Sequence, residues 1–130
     1  MRAALLLLAG AALLLAAGAA ATRPAPGSTS LTITVWPLGS GVSHTRTLRC
    51  RPAGGTLPRP AEACLRLSRL ARPFAPVPPG TACLARHYGP ETAFVQGRID
   101  ERRVWARLSR RDGCQEARWQ KHGWLLRAVR

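Results

Sequence analysis

The chain is poor in acid. Six Asp and Glu stand against twenty Lys and Arg in 130 residues, a formal net charge of +14, and every basic side chain except Lys121 is an arginine. It contains no Cys-x-x-Cys and no histidine at a metal-ligand offset from a cysteine, which argues against a zinc site. Gly39-Ser40-Gly41-Val42-Ser43 has the wrong order for a nucleophile elbow, and no glycine loop has the pattern that cradles phosphate. His44, His87 and His122 stand in unrelated contexts, and the scattered acids offer no acid-base pair. No enzyme, metal or cofactor is expected. Internal repeats and long low-complexity segments are also missing from the part of the chain beyond its leader.

The leader is the first positive feature. Arg2 precedes an almost unbroken Ala and Leu run that ends in Ala19-Ala20-Ala21 before the proline-rich Thr22-Arg23-Pro24-Ala25-Pro26. A charged start, an apolar stretch and small residues at a cleavage point define a secretory signal peptide over residues 1–21. A transmembrane anchor is disfavoured by the many small residues and by the lack of a positive cluster after the run. Residues 22–30 are then expected as a flexible start, and 31–130 as one secreted, extracellular domain without membrane attachment after cleavage.

A domain of about a hundred residues buries a modest share of its surface and benefits from covalent staples. Cys50, Cys64, Cys83 and Cys114 in an exported chain imply an oxidised framework. Four cysteines allow three pairings and spacing does not choose among them, although the sequential one is the least entangled.

Leu31-Thr32-Ile33-Thr34-Val35-Trp36 alternates apolar and polar residues and predicts a half-buried strand, with His44 to Cys50 as its hairpin partner. The prolines and paired glycines of residues 51–60 exclude regular structure there. Pro60 suits a first helical turn, and Ala61, Cys64, Leu65, Leu67, Leu70 and Ala71 recur at helical intervals until Pro73. Residues 92–99 and 103–108 predict a second hairpin. Asp112-Gly113 reads as a turn, and residues 124–129 as a last strand. The expected fold is α+β: an antiparallel sheet of about five strands with one or two helices packed on one face, and two disulfides.

Between these elements lies Cys83-Leu84-Ala85-Arg86-His87-Tyr88-Gly89-Pro90, which has neither helical nor strand periodicity. A half-cystine at one end and a Gly-Pro turn at the other, after an arm stiffened by Pro76, Pro78 and Pro79, read as a pinned loop that presents a side chain to a partner.

Cys50, Pro52, Gly55-Thr56-Leu57-Pro58, Ala63-Cys64, Cys83, Tyr88-Gly89-Pro90, Arg103-Val104 and Cys114 occur in an order that resembles the Streptomyces subtilisin inhibitor family of secreted serine protease inhibitors. The resemblance implies a five-stranded sheet with two helices, sequential disulfides, a homodimer formed through the sheets and a bacterial source. It also implies a reactive loop of Leu84, Ala85, Arg86, His87 and Tyr88. Counting back two residues from the tyrosine gives Arg86 as the primary specificity residue and Arg86-His87 as the reactive bond. Counting forward two from Cys83 gives Ala85 instead, because one extra residue separates the anchors; the tyrosine-proline anchor favours Arg86. Gly89 replaces the family's Asp, and residues 97–101 lack the family's Trp and second Gly.

The expected function is thus a proteinaceous inhibitor of trypsin-like or subtilisin-like serine endopeptidases, with extracellular serine proteases as partners. The alternative is a cationic secreted protein that binds anionic polymers or a cell surface. The arginines are spread from Arg23 to Arg130, which reads as compositional bias, so no specific nucleic-acid partner is expected.

Overall fold

The computed structural model describes residues 27–130. The expected signal peptide lies outside the described residues. Four strands and two helices follow in the order β1 (Thr29–Trp36), β2 (His44–Cys50), α1 (Pro60–Ser68), β3 (Thr92–Ile99), β4 (Arg102–Ser109) and α2 (Gly113–Val129). The architecture is α+β, as expected, with four strands where about five were anticipated.

The strands form one antiparallel sheet in the order β2-β1-β3-β4. The alternation legible in residues 31–36 sets its register: Leu31 stands opposite Leu48 and Gly97, and Ile33 opposite Val95. A pleated strand sends successive side chains to opposite faces, so one face collects Leu31, Ile33, Val35, Leu48, Val95, Ala106 and Leu108, all buried. Each fully buried Leu, Ile or Val contributes about 1.5 to 3 kcal/mol. Residues 97–101 still make a tight hairpin; Ile99 pairs with Arg102 across a two-residue turn in which Asp100 takes a positive φ of 54°.

The strand expected at residues 124–129 is instead the last turns of α2. Asp112 caps the helix by accepting the Gln115 N–H at 2.8 Å, so the Asp-Gly pair read as a turn is a helix start. Trp119, His122, Leu125, Leu126 and Val129 are buried at intervals of three and four. A six-residue apolar run does not distinguish helix from strand, and the deciding period needed the polar residues before it. Helix α1 is shorter than expected and is rotated: Ala63 and Leu67 are buried, whereas Ala61 and Ala71 are exposed and Leu65 is 53 % exposed. The Cys50–Cys64 disulfide ties α1 to the end of β2 and centres the buried stripe on that side. Both helices join the same core beneath one face of the sheet.

Candidate functional site

From Ala75 to Glu91 the chain has no helix or strand, and Gly80 to His87 are all exposed. Backbone bonds hold this segment at a few points. The Pro78 carbonyl accepts both the Thr81 N–H and its hydroxyl, ending the proline-rich arm in a turn. Cys83 is bonded to Cys114 in the first turn of α2. The Leu84 carbonyl then accepts two N–H groups at 2.9 Å, from Gly113 at the head of α2 and from Arg86. Gly113 permits the approach, since a Cβ there would press on Leu84. On the far side the Tyr88 N–H donates to the Arg110 carbonyl at 2.8 Å.

Ala85, Arg86 and His87 are left as the apex between these anchors. The Arg86-to-Leu84 bond closes a three-residue turn around Ala85, a contraction that takes up one residue of path. Arg86 stands beyond that turn, its guanidinium 5.3 Å from the centre of the Tyr88 ring. Every residue of the expected reactive loop lies on this segment. Leu84, Ala85, Arg86 and His87 are exposed, and Tyr88 is half-buried where it meets the scaffold.

The scaffold side is an ion cluster. Arg110 follows β4 and binds Glu116 through Nε at 2.7 Å and Nη2 at 2.8 Å, while its Nη1 reaches both Glu91 oxygens at 3.1 and 3.2 Å. Glu91 follows the loop and Glu116 lies in the first turn of α2, so one guanidinium joins the loop's exit, a strand and a helix. All three side chains are largely buried. Hydrogen bonding to Glu116 raises the Arg110 pKa above its ordinary value, against the opposing effect of burial. The same bond lowers that of Glu116. Gly89 belongs to this arrangement, because a Cβ on it would collide with the Glu91 carboxylate. The position that differs from the family's Tyr-Asp-Pro is thus the one whose missing side chain makes room for the ion pair.

Helix α2 also holds the loop's entry. His122 is buried, accepts the Phe74 N–H through Nε2 at 3.0 Å, donates through Nδ1 to the Arg118 carbonyl at 2.7 Å and stacks on the Phe74 ring. Burial, the largest influence, lowers its pKa and keeps the ring neutral. Phe74 has a positive φ of 63°, a conformation this contact helps to hold. Arg118 donates to the Ala75 carbonyl at 2.9 Å and Lys121 to that of Ala71 at 3.0 Å. His44 and His87 are exposed.

The sequence model of subtilisin inhibitor-like proteins matches residues 25–108, which span β1 to β4 and the whole loop. The chain belongs to the subtilisin inhibitor-like family. A solved structure, Streptomyces caespitosus sermetstatin in complex with Bacillus licheniformis subtilisin, is 29 % identical, covering 70 % of this chain and 90 % of that one with a TM-score of 0.45. No curated protein matches the sequence. The matched region ends before Arg110, Glu116 and α2, so the groups that brace the loop's far side in this subtilisin inhibitor-like chain lie outside it.

Sequence reasoning missed Arg110, Glu91, Glu116 and Arg118, and did not single out His122 as the histidine that packs. These contacts span up to 48 residues, and an arginine in so basic a chain carries no local mark. Only Glu116, an acid in the first turn after an Asp cap, had a legible signal. Cys83, Cys114 and Asp112 also bring three ligand-type atoms within 4.8 Å. The two sulfurs are bonded to each other and are not thiolate ligands.

Proposed function

We propose that the protein is a secreted, extracellular inhibitor of serine endopeptidases of trypsin-like specificity, acting through Leu84 to Tyr88 with Arg86-His87 as the reactive bond. The supporting observation is the exposed apex of Ala85, Arg86 and His87, held on one side by Leu84 and the Cys83–Cys114 disulfide and on the other by Tyr88. Membership of the subtilisin inhibitor-like family supplies the inhibitor class. The turn around Ala85 supports the choice of Arg86 over Ala85, since it accommodates the extra residue before the specificity position.

A loop held near its bound shape loses little conformational freedom on binding. Arg86 leaves the Tyr88 ring and enters the specificity pocket, where a carboxylate at its base makes a charge-assisted, bidentate pair. The flanking backbone adds strand-like hydrogen bonds to the enzyme. When the Arg86-His87 bond is cut, the His87 amine stays tethered through Tyr88, Arg110 and the chain to Cys114, so resynthesis competes with release.

The test is titration of the mature protein against trypsin and subtilisin beside Arg86→Ala. We expect tight trypsin inhibition that weakens about a thousandfold on substitution, the scale of a buried charged hot spot. Brief incubation with trypsin at low pH is expected to yield one new N-terminus at His87. A new N-terminus at Arg86 would make Ala85 the specificity residue, and failure to slow either enzyme would end the proposal.

A further inference from the structure

The turn between β1 and β2 stands beside the loop's exit. Trp36 at the end of β1 pairs with Thr92, and Thr92 with Ser109, so this turn, the residues after Pro90 and the head of α2 gather at one end of the sheet. The approach is close. Gly39, at a positive φ of 79°, lies where a Cβ would collide with the Pro90 carbonyl, and its own carbonyl accepts the Thr92 hydroxyl at 3.3 Å. Pro90 is three residues past His87, at most about 10 Å along the chain.

The turn differs in kind from most of this chain's surface. Pro37 to Ser43 carries no charge in a protein of net charge +14, and Leu38 and Val42 are 78 % and 77 % exposed. A lone exposed apolar side chain is ordinary. Here, however, Leu38, Val42 and Leu84 are three of the five large apolar side chains exposed among the described residues, and all three lie at this one end. Leu65 on α1 and Trp105 in the middle of β4 are the others. Depletion of charge marks the core of an interface. A stable protein complex covers about 20 to 30 residues on each partner. Leu84 to Tyr88 falls well short of that, so flanking surface has to supply the remainder.

We propose that Leu38 and Val42 make a second contact with the serine protease held by the reactive loop, against apolar surface beside its active-site cleft on the leaving-group side of the cut bond. This rests on the reading of Leu84 to Tyr88 as the reactive loop. The side follows from the chain direction: His87 begins the leaving-group half, and Tyr88, Gly89 and Pro90 lead from it to Gly39. The turn adds its contact outside the specificity pocket, so its contribution is separate from that of Arg86. A second copy of this chain fits less well. Two apolar side chains bury too little area to hold a dimer by themselves, whereas beside the reactive loop they extend a contact that the loop has already made.

The experiment measures inhibition and dissociation rates with trypsin for the mature protein, for Leu38→Ser with Val42→Ser, and for Leu65→Ser as an exposed-leucine control. Circular dichroism and sedimentation are recorded for each. Hydroxyl-radical footprinting of the free protein and of the complex reads whether the protease covers the two side chains. We expect the turn variant to inhibit about thirtyfold less tightly, mainly through faster dissociation, and the control to stay within about twofold. Fold and sedimentation should be unchanged, and Leu38 and Val42 should be protected in the complex. Undiminished inhibition by the turn variant would overturn the second contact and leave the reading of the reactive loop intact. Weaker inhibition with Leu38 and Val42 unprotected would overturn it too, since the turn would then act only by positioning Pro90. Altered sedimentation of the turn variant with unchanged inhibition would assign the turn to a second copy. A parent protein that slows no protease would end the reading of the reactive loop, and the second contact with it.

Discussion

The two disulfides close loops of similar kind and hold very different parts of the molecule. Cys50–Cys64 joins cysteines 14 residues apart, with Cys50 in the core, and fastens α1 to β2. Cys83–Cys114 joins cysteines 31 residues apart, with Cys83 exposed, and fastens an irregular segment to the head of α2. Around the first, packing and backbone pairing already fix the chain. Around the second, few apolar contacts are available, and position is set by one covalent bond, backbone hydrogen bonds to Gly113 and Arg110, and the Arg110 ion cluster. A bond of one type therefore staples a core at one end and orders a presented loop at the other.

Removing each disulfide tests that contrast most severely. By the chain-entropy relation either loss costs about 3 to 4 kcal/mol of stability, so melting alone will not separate them. Inhibition is expected to do so. Cys83→Ser with Cys114→Ser should leave a folded protein that trypsin cuts as a substrate, its inhibition weakened about a hundredfold by the lost preorganisation. Cys50→Ser with Cys64→Ser should inhibit within a few-fold of the parent per folded molecule, as read from active-site titration below its melting temperature. Equal loss of inhibition in both variants would break the comparison.

A smaller effect is expected at Arg110. Arg110→Ala leaves Glu91 and Glu116 largely buried without their guanidinium and should cost about 2 kcal/mol in chemical denaturation. It should also speed tryptic cutting of the loop, with Arg110→Lys intermediate because an ammonium cannot make the same fork of bonds. Unchanged cutting in Arg110→Ala would show that the loop is held by its backbone bonds alone.

The smallest expected effect is on pH dependence. Burial lowers the His122 pKa in the folded state, so the unfolded chain binds more protons, and stability is complete above the ordinary value of 6.5 and falls as the medium is acidified below it. Glu116 is also lowered, chiefly by Arg110, and its contribution is complete above 4.5 and lost at lower pH. Denaturation midpoints between pH 8 and 3 should therefore fall in two stages. Arg110→Ala is expected to abolish the lower stage and leave the upper one, which ties the lower stage to the first turn of α2 and the upper one to its middle. A single stage near pH 4.5 would remove His122 from the account.

Much of the sheet was legible because strand alternation is a local signal: Thr32 and Thr34 between Leu31, Ile33 and Val35 declare both the strand and its buried face. The exposed loop was legible for the opposite reason, since Cys83 to Pro90 has no period and carries its own anchors. Helix α2 was hidden because its apolar end, read alone, suits a strand equally well. With it went the groups that support the loop.

The sequence by itself determined the α+β composition, the first hairpin and the exposed segment that carries Arg86, since each depends on neighbours a few residues apart. Only the tertiary structure decided that α2 is the platform beneath that segment, that Gly89 leaves room for Glu91 to meet Arg110, and that Gly39 brings the turn after β1 against Pro90. Those outcomes depend on side chains that folding brings together from distant parts of the chain, where charge and shape complementarity leave no periodic trace in the sequence.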